Sequence, residues 1–176
     1  MQLITSILRG LQAIFAIIVF GISVDLARSQ HTDFQPVPAA TGYAAFCGGF
    51  GIVVALVGIA SLFASSLEGI ITWALDGLSA LTMLAAGIAY TVLLRNTSCS
   101  NPLETARNSL VNGGCDDLGD DTFCWYGPEK WKSRCTSARA DSAFMFISFV
   151  TCLGVVGYSF FVARGGRGGS KGVSYA

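Results

Sequence analysis

The chain has 176 residues, 52% of them hydrophobic and 12% charged, and its 11 basic and 11 acidic side chains leave no net charge. A water-soluble domain carries about 25% charged residues, so this composition argues against an ordinary soluble fold, and the charge balance argues against a nucleic-acid partner. The charge is also bunched, with Glu104, Asp116, Asp117, Asp120, Asp121 and Glu129 in one segment.

The first apolar run is Leu11 to Val24, extendable back to Ile4 through Arg9. It is long for a secretory signal, and its exit, Leu26-Ala27-Arg28-Ser29, lacks a small-x-small cleavage site. A retained first helix over about 4–26 is expected. Residues 28–40 are polar and contain Pro36 and Pro38, which mark a connecting loop. A second span, about 43–63, carries no charge, and Ser65-Ser66-Leu67-Glu68-Gly69 forms a tight link to a third, 70–94, with one acid, Asp76. A fourth span covers about 142–163.

Each run approaches the roughly 20 residues needed to cross a hydrocarbon core of about 30 Å. In lipid every backbone polar group must be satisfied internally, which leaves helices or a closed barrel. Barrel strands would alternate with a period of two; these runs are continuously apolar and read as helices. The expected fold class is an all-α membrane protein, a four-transmembrane-helix bundle over residues 1–163. A loop at 96–139 and a flexible, glycine-rich basic tail at 164–176 complete it.

Four spans place both termini on one side. Arg164, Arg167 and Lys171 favour a cytoplasmic tail, but the long loop carries Arg95, Arg107, Lys130, Lys132, Arg134 and Arg139, so basic residues alone do not orient the chain. The cysteines do. Cys99, Cys115, Cys124 and Cys135 in one loop suit an oxidising compartment, which puts the loop outside and both termini of a multi-pass protein in the cytoplasm. Four cysteines allow three pairings, and the sequence does not choose among them. Position favours Cys99 with Cys135, stapling the base of the loop, and Cys115 with Cys124 as a nested loop. A zinc site is disfavoured, since no CxxC pair exists and the one histidine, His31, lies in another loop. Cys47 and Cys152 fall inside spans and read as small core residues.

An ionisable group at the centre of a membrane helix costs about 2.5–3.5 kcal/mol, so Arg9 and Asp76 stand out. Both lie a turn or two inside the cytoplasmic ends of their spans, and an intramembrane ion pair is one expectation. The other has Arg9 reaching the headgroups while Asp76 bonds Ser61 or Ser65. Asp25, at the outer end of the first span, reads as interfacial.

Small residues recur four apart in the second span as Ala44/Gly48, Ala45/Gly49 and Gly51/Ala55, spacing that lets helix backbones approach. Self-association is one use; packing inside the bundle is the preferred one. In the loop, Phe123, Trp125, Tyr126 and Trp131 lie near Lys130 and Lys132, and a small loop core around the disulfides is preferred to a membrane or partner surface. Asn96-Thr97-Ser98 spells a glycosylation sequon, too near the bilayer to be an easy target. Arg164, Arg167 and Lys171 are candidate contacts for anionic lipid, worth about 1 kcal/mol each. No Ser/His/Asp set, HExxH or phosphate-cradling loop occurs, and no cofactor is implied. A membrane thiol oxidoreductase would need a reactive CxxC pair, which is absent.

Several features in order carry a resemblance: Ile7-Leu8-Arg9, Leu75-Asp76, Arg95 followed by Cys99-Ser100-Asn101, then Arg134-Cys135 leading to Ala143-Phe144. With four spans and a cysteine-bearing loop after the third, the chain resembles fungal MARVEL-domain proteins, and among them the non-classical export family of eisosomes. That resemblance implies a Cys99–Cys135 disulfide and a retained Arg9 and Asp76. It also implies a plasma-membrane location and a non-enzymatic role in organising lateral membrane domains, linked to sphingolipid sensing or unconventional export. The implied partners are membrane lipids, sphingolipid or sterol, together with copies of itself or other membrane proteins. The enlarged loop with Cys115 and Cys124 and the glycine-rich tail depart from that family. Tetraspanins also carry their large loop after the third helix, but their Cys-Cys-Gly signature is missing; Gly113-Gly114-Cys115 does not match it. Claudin-like proteins place theirs after the first helix. A small transporter or channel subunit is the alternative in another class, and it would need a polar path through spans made of Ala, Gly, Ile, Leu and Val.

Overall fold

The computed structural model describes residues 2–31, 33, 35–61, 70–118 and 121–167. Helices α1 (Gln2–Arg28), α2 (Ala39–Ser61) and α3 (Ile70–Leu94) are followed by a short α4 (Pro102–Arg107), a hairpin of β1 (Cys115–Leu118) and β2 (Asp121–Cys124), and α5 (Pro128–Arg167). Four of these helices, α1, α2, α3 and α5, are long and apolar enough to cross a membrane. The protein is an all-α membrane bundle. Its main packing partners run in a ring, α1 on α2 and α5, and α3 on α5 and α2. The polar loops between α1 and α2 and between α3 and α5 share one end, called here the loop end.

As far as the described residues reach, the first three helices cover the expected spans to within a few residues; the expected end of the second at 62–63 and the link Ser65-Ser66-Leu67-Glu68-Gly69 lie outside them. Helix α2 begins earlier than expected, because Thr41 N and Gly42 N donate back to Pro38 O and wind the first turn directly off the proline. The larger difference is in α5. A fourth span from 142 was expected, with residues up to 139 in a loop and a flexible tail from 164. Instead, α5 is one helix of 40 residues. Its start is set by Pro128 at the first helical position, where a missing N–H costs nothing, and by Gly127 O, which accepts from Lys130 N and Trp131 N. From there Lys, Arg, Ser and Ala carry the helix into the apolar run, so hydropathy marks only its lower part. At its other end the helix continues to Arg167; the residues beyond it, with Lys171, lie outside those described.

Side-chain size explains the close approach of α1 and α2. Ala44, Cys47, Gly48, Gly51, Val54, Ala55, Gly58 and Ser61 are buried along one face of α2, while Ala45 and Gly49 are half-buried beside it. A methyl group placed on Gly48 would meet Phe20 N at 2.6 Å, so the two backbones touch there. On Gly51 it would meet Met83 Cε at 3.0 Å and Ala16 Cβ at 3.1 Å. This stripe is therefore occupied inside the chain, mainly by α1. Ala16, Val19, Leu26, Met83, Ala86, Tyr90 and Met145 complete the core between the helices.

At the loop end two disulfides form, Cys99–Cys135 and Cys115–Cys124. The first ties the segment after α3 to α5; the second joins directly opposed residues of the antiparallel hairpin. Asn101 caps α4 by accepting from Leu103 N, and the Glu104 carboxylate reaches back to accept from Ser98 N at 2.7 Å and Asn101 Nδ2 at 2.9 Å. Gly113 and Gly114 take φ of +77° and +115°, a backbone that side chains disfavour, and turn the chain so that Gly113 O accepts from His31 N. Among the described residues between α3 and α5, the buried hydrophobic ones are Leu110, Val111 and Cys115 rather than the aromatics. Phe123 and Trp125 are about half exposed, so they differ from the expected aromatic core of the loop. Trp125 stacks on His31 at 4.0 Å between ring centroids, and Lys130 sits over the Tyr126 ring.

Candidate functional site: polar layers inside the bundle

Polar side chains inside an apolar bundle face one another, since lipid offers them no partner. In this molecule they gather in two layers. Nearer the chain termini, Arg9 Nη1 donates to Asp76 Oδ1 at 2.6 Å and to Gln12 Oε1 at 3.0 Å. Gln12 Nε2 donates to the same Asp76 oxygen at 3.0 Å and lies 3.4 Å from Cys152 Sγ, which in turn points at Ser79 Oγ. Arg9 is 4% exposed and Asp76 fully buried, so the guanidinium does not reach out to headgroups. Helix α2 contributes by absence: a methyl group on Gly58 would lie 2.4 Å from Arg9 Cζ. The layer thus draws on all four spanning helices and is electrically neutral.

The second layer lies toward the loop end. Ser23 of α1 donates to Asp141 Oδ2 of α5 at 2.7 Å. The Tyr90 hydroxyl of α3 faces Thr41 of α2, Ser23 and Asp141. All four side chains are 0–2% exposed. One turn along, Ser142 Oγ pairs with Thr91 Oγ1 at 3.0 Å and with Gly87 O at 3.2 Å, joining α5 to α3 again.

Above this layer sits a buried arginine clasp. Arg134 Nε donates to Val111 O at 3.1 Å, Nη1 to Leu26 O at 3.2 Å and to Ser29 Oγ, and Nη2 to Gln30 Oε1 at 3.2 Å. Arg139 Nη2 donates to Thr97 O at 2.8 Å. Two of the cations counted for orientation are therefore bonded to loop backbone. One guanidinium fastens the end of α1, the 111 segment and α5 together.

The structure brings Arg9 to Asp76 and joins Cys99 to Cys135 and Cys115 to Cys124. It packs Ala44, Gly48, Gly51 and Ala55 against the chain's own helices. Arg164 and Arg167 fall in the last turn of α5; their side chains, with Lys171, lie outside the described residues. Gln12, Gly58, Asp141, Tyr90, Thr41 and the clasp role of Arg134 were not anticipated. Asp141 in particular lies one residue before the fourth span that hydropathy predicts. Among the described residues no group of three or more His, Cys, Asp or Glu is placed to hold a metal ion.

Four antiparallel apolar helices with inward polar layers describe many tetraspan proteins, and the family is decided by comparison. A family model described as a membrane-associating domain, MARVEL, matches residues 2–158. The chain belongs to the MARVEL family. No curated protein and no solved structure matches it. The match runs through α1, α2, α3, the whole cysteine-bearing loop and most of α5, so both polar layers and the arginine clasp lie within the MARVEL domain. This MARVEL protein is a multi-pass membrane protein.

Proposed function

We propose that this MARVEL protein is a non-enzymatic scaffold that organises lateral domains of the plasma membrane by helix–helix and helix–lipid packing. One observation carries the reading: Arg9, Gln12, Asp76 and Asp141 of the spans face the bundle interior, while the perimeter is built from large apolar side chains. Leu3, Ile7, Ile14 and Ile17 on α1, Val53 and Leu56 on α2, Ile71 and Leu81 on α3, and Val150 and Phe161 on α5 are each at least half exposed. In a bilayer such a surface interacts through shape, with lipid chains and with neighbouring copies.

In this reading the disulfide-bearing loop end faces the oxidising side and both termini the cytoplasm. Arg164, Arg167 and Lys171 then meet the anionic inner leaflet. The partners are membrane lipids, sphingolipid or sterol, and further copies of the chain. Eisosome membership, sphingolipid sensing and a link to unconventional export follow from resemblance to the fungal export family and belong to the same proposal.

The test is reconstitution of purified protein into giant vesicles with coexisting lipid phases, together with particle size after gentle extraction. Enrichment in one phase and large lipid-rich particles are the expected results. Uniform distribution with a lipid-free monomer would overturn the proposal, and selective ion flux in the same vesicles would favour a channel instead.

A further inference from the structure

The two buried carboxyls of the bundle have opposite surroundings. Asp76 has Arg9 in direct contact. Asp141, equally buried, has no Lys, Arg or His within ion-pair distance among the described residues. Its Oδ2 accepts from Ser23, but its Oδ1 has no hydrogen-bond partner among those residues. The Tyr90 hydroxyl and Thr41 Oγ1, in the same cluster, lie against one another and Ser23 without a hydrogen bond of full geometry.

The charged groups nearby are accounted for. Arg134, two turns along α5, is bonded to Val111 O, Leu26 O, Ser29 and Gln30. Arg139 is bonded to Thr97 O, and Asp25, at the end of α1, is exposed. Helix α3 presents Tyr90 to the cluster and α2 presents Thr41.

A lone carboxylate in a low-dielectric interior is far too costly to stand uncompensated. The partnerless Asp141 Oδ1, in a wholly buried cluster whose hydroxyls are only loosely paired, makes the same demand, because buried polar groups are almost always paired. The oxygens present are hard donors, one carboxyl and three hydroxyls, with no thiol or imidazole among them; such sets suit hard cations.

We propose that Asp141, Ser23, Thr41 and Tyr90 form a binding site for one small cation, a proton or an alkali-metal ion. A proton on Oδ1 turns that atom into a donor for the Tyr90 or Thr41 oxygen. An alkali ion would instead take the lone pairs of all four groups. In either case one positive charge neutralises the carboxylate and ties together all four spanning helices. The site lies six residues along α5 from Cys135.

A ligand that binds only the folded state raises its stability. The test follows thermal unfolding of the full-length protein in lipid nanodiscs, from mildly acidic to mildly alkaline pH. Choline, sodium and potassium chloride are compared at equal ionic strength, for wild type and Asp141→Asn. A bound proton predicts that the wild-type midpoint falls by several degrees as the pH rises, with equal values in the three salts. It also predicts an infrared carbonyl band of a protonated carboxyl, lost in Asp141→Asn. A bound alkali ion predicts a midpoint several degrees higher in sodium or potassium than in choline. In both cases Asp141→Asn, neutral and of the same size, flattens the response, and Tyr90→Phe weakens it. Wild type and Asp141→Asn responding alike to pH and to all three salts, with no protonated-carboxyl band unique to wild type, would overturn the proposal. This outcome is independent of whether the protein organises lipid domains.

Discussion

The guanidinium of Arg9 lies flat against the bare α-carbon of Gly58, closely enough that any side chain there would occupy its place. Gly58→Ala therefore has to move a group held by both Asp76 and Gln12. Separating a buried ion pair costs about 3–5 kcal/mol, which bounds the expected loss. Gly21→Ala is the control, because a methyl group there meets nothing within 4 Å. That change should be neutral or stabilising by up to about 1 kcal/mol. Denaturant titrations of the two variants in the same detergent give the comparison.

Arg9 and Asp76 should also be coupled energetically. Arg9→Gln and Asp76→Asn each leave a buried partner uncompensated, whereas together they leave two neutral amides. A double-mutant cycle should return a coupling of about 1–3 kcal/mol, the double variant being milder than the sum of the singles. Additive losses would mean that the two groups act separately.

Gly48 tests the contact between α1 and α2. Its α-carbon faces the backbone of Phe20, which cannot swing aside as a side chain can. Gly48→Ala should force the helices apart at a cost of about 1–3 kcal/mol. Gly51→Ala should cost less, since its neighbours stand farther off, Met83 Cε at 3.0 Å on a flexible chain and Ala16 Cβ at 3.1 Å. Cysteine crosslinking rates between the two helices would register the separation.

Arg134→Lys keeps the charge and discards the fork. A lysine has one nitrogen where Arg134 uses three, so it cannot hold Val111, Leu26, Ser29 and Gln30 at once. The loop should loosen while the spans stay folded. Limited proteolysis should cut the 96–127 segment several-fold faster, with helix content unchanged.

The two disulfides should differ in weight. Cys99–Cys135 closes a separation of 36 residues and Cys115–Cys124 one of 9. On chain entropy the first contributes about 4 kcal/mol and the second about 3. Removing the first also frees α5 from the segment after α3, so Cys99→Ser with Cys135→Ser should lower the unfolding midpoint more than the Cys115/Cys124 double serine variant.

The spans were legible because lipid imposes one rule on every residue of a run, and a continuous apolar stretch satisfies it in only one way. Arg9 and Asp76 were legible for the converse reason, as charges in stretches that otherwise exclude them. Asp141 was not. It follows Arg139 at the edge of an apolar run, where hydropathy reads it as loop, and only the upward extension of α5 to Pro128 carries it inside. The arginine clasp was hidden similarly: its acceptors, Leu26 O and Val111 O, are backbone atoms that any sequence possesses. Phe123 and Trp125 show that aromatic composition does not reveal which side of a hairpin is covered.

At 1.5 Å per residue, the 40 residues of α5 make a rod of about 60 Å, roughly twice the thickness of the oily layer it crosses. It behaves as a mast stepped through a deck. Its upper reach carries the crown of loops lashed there by Arg134 and Cys135, and one unbroken helix joins that crown to its foot near Arg167 on the opposite side.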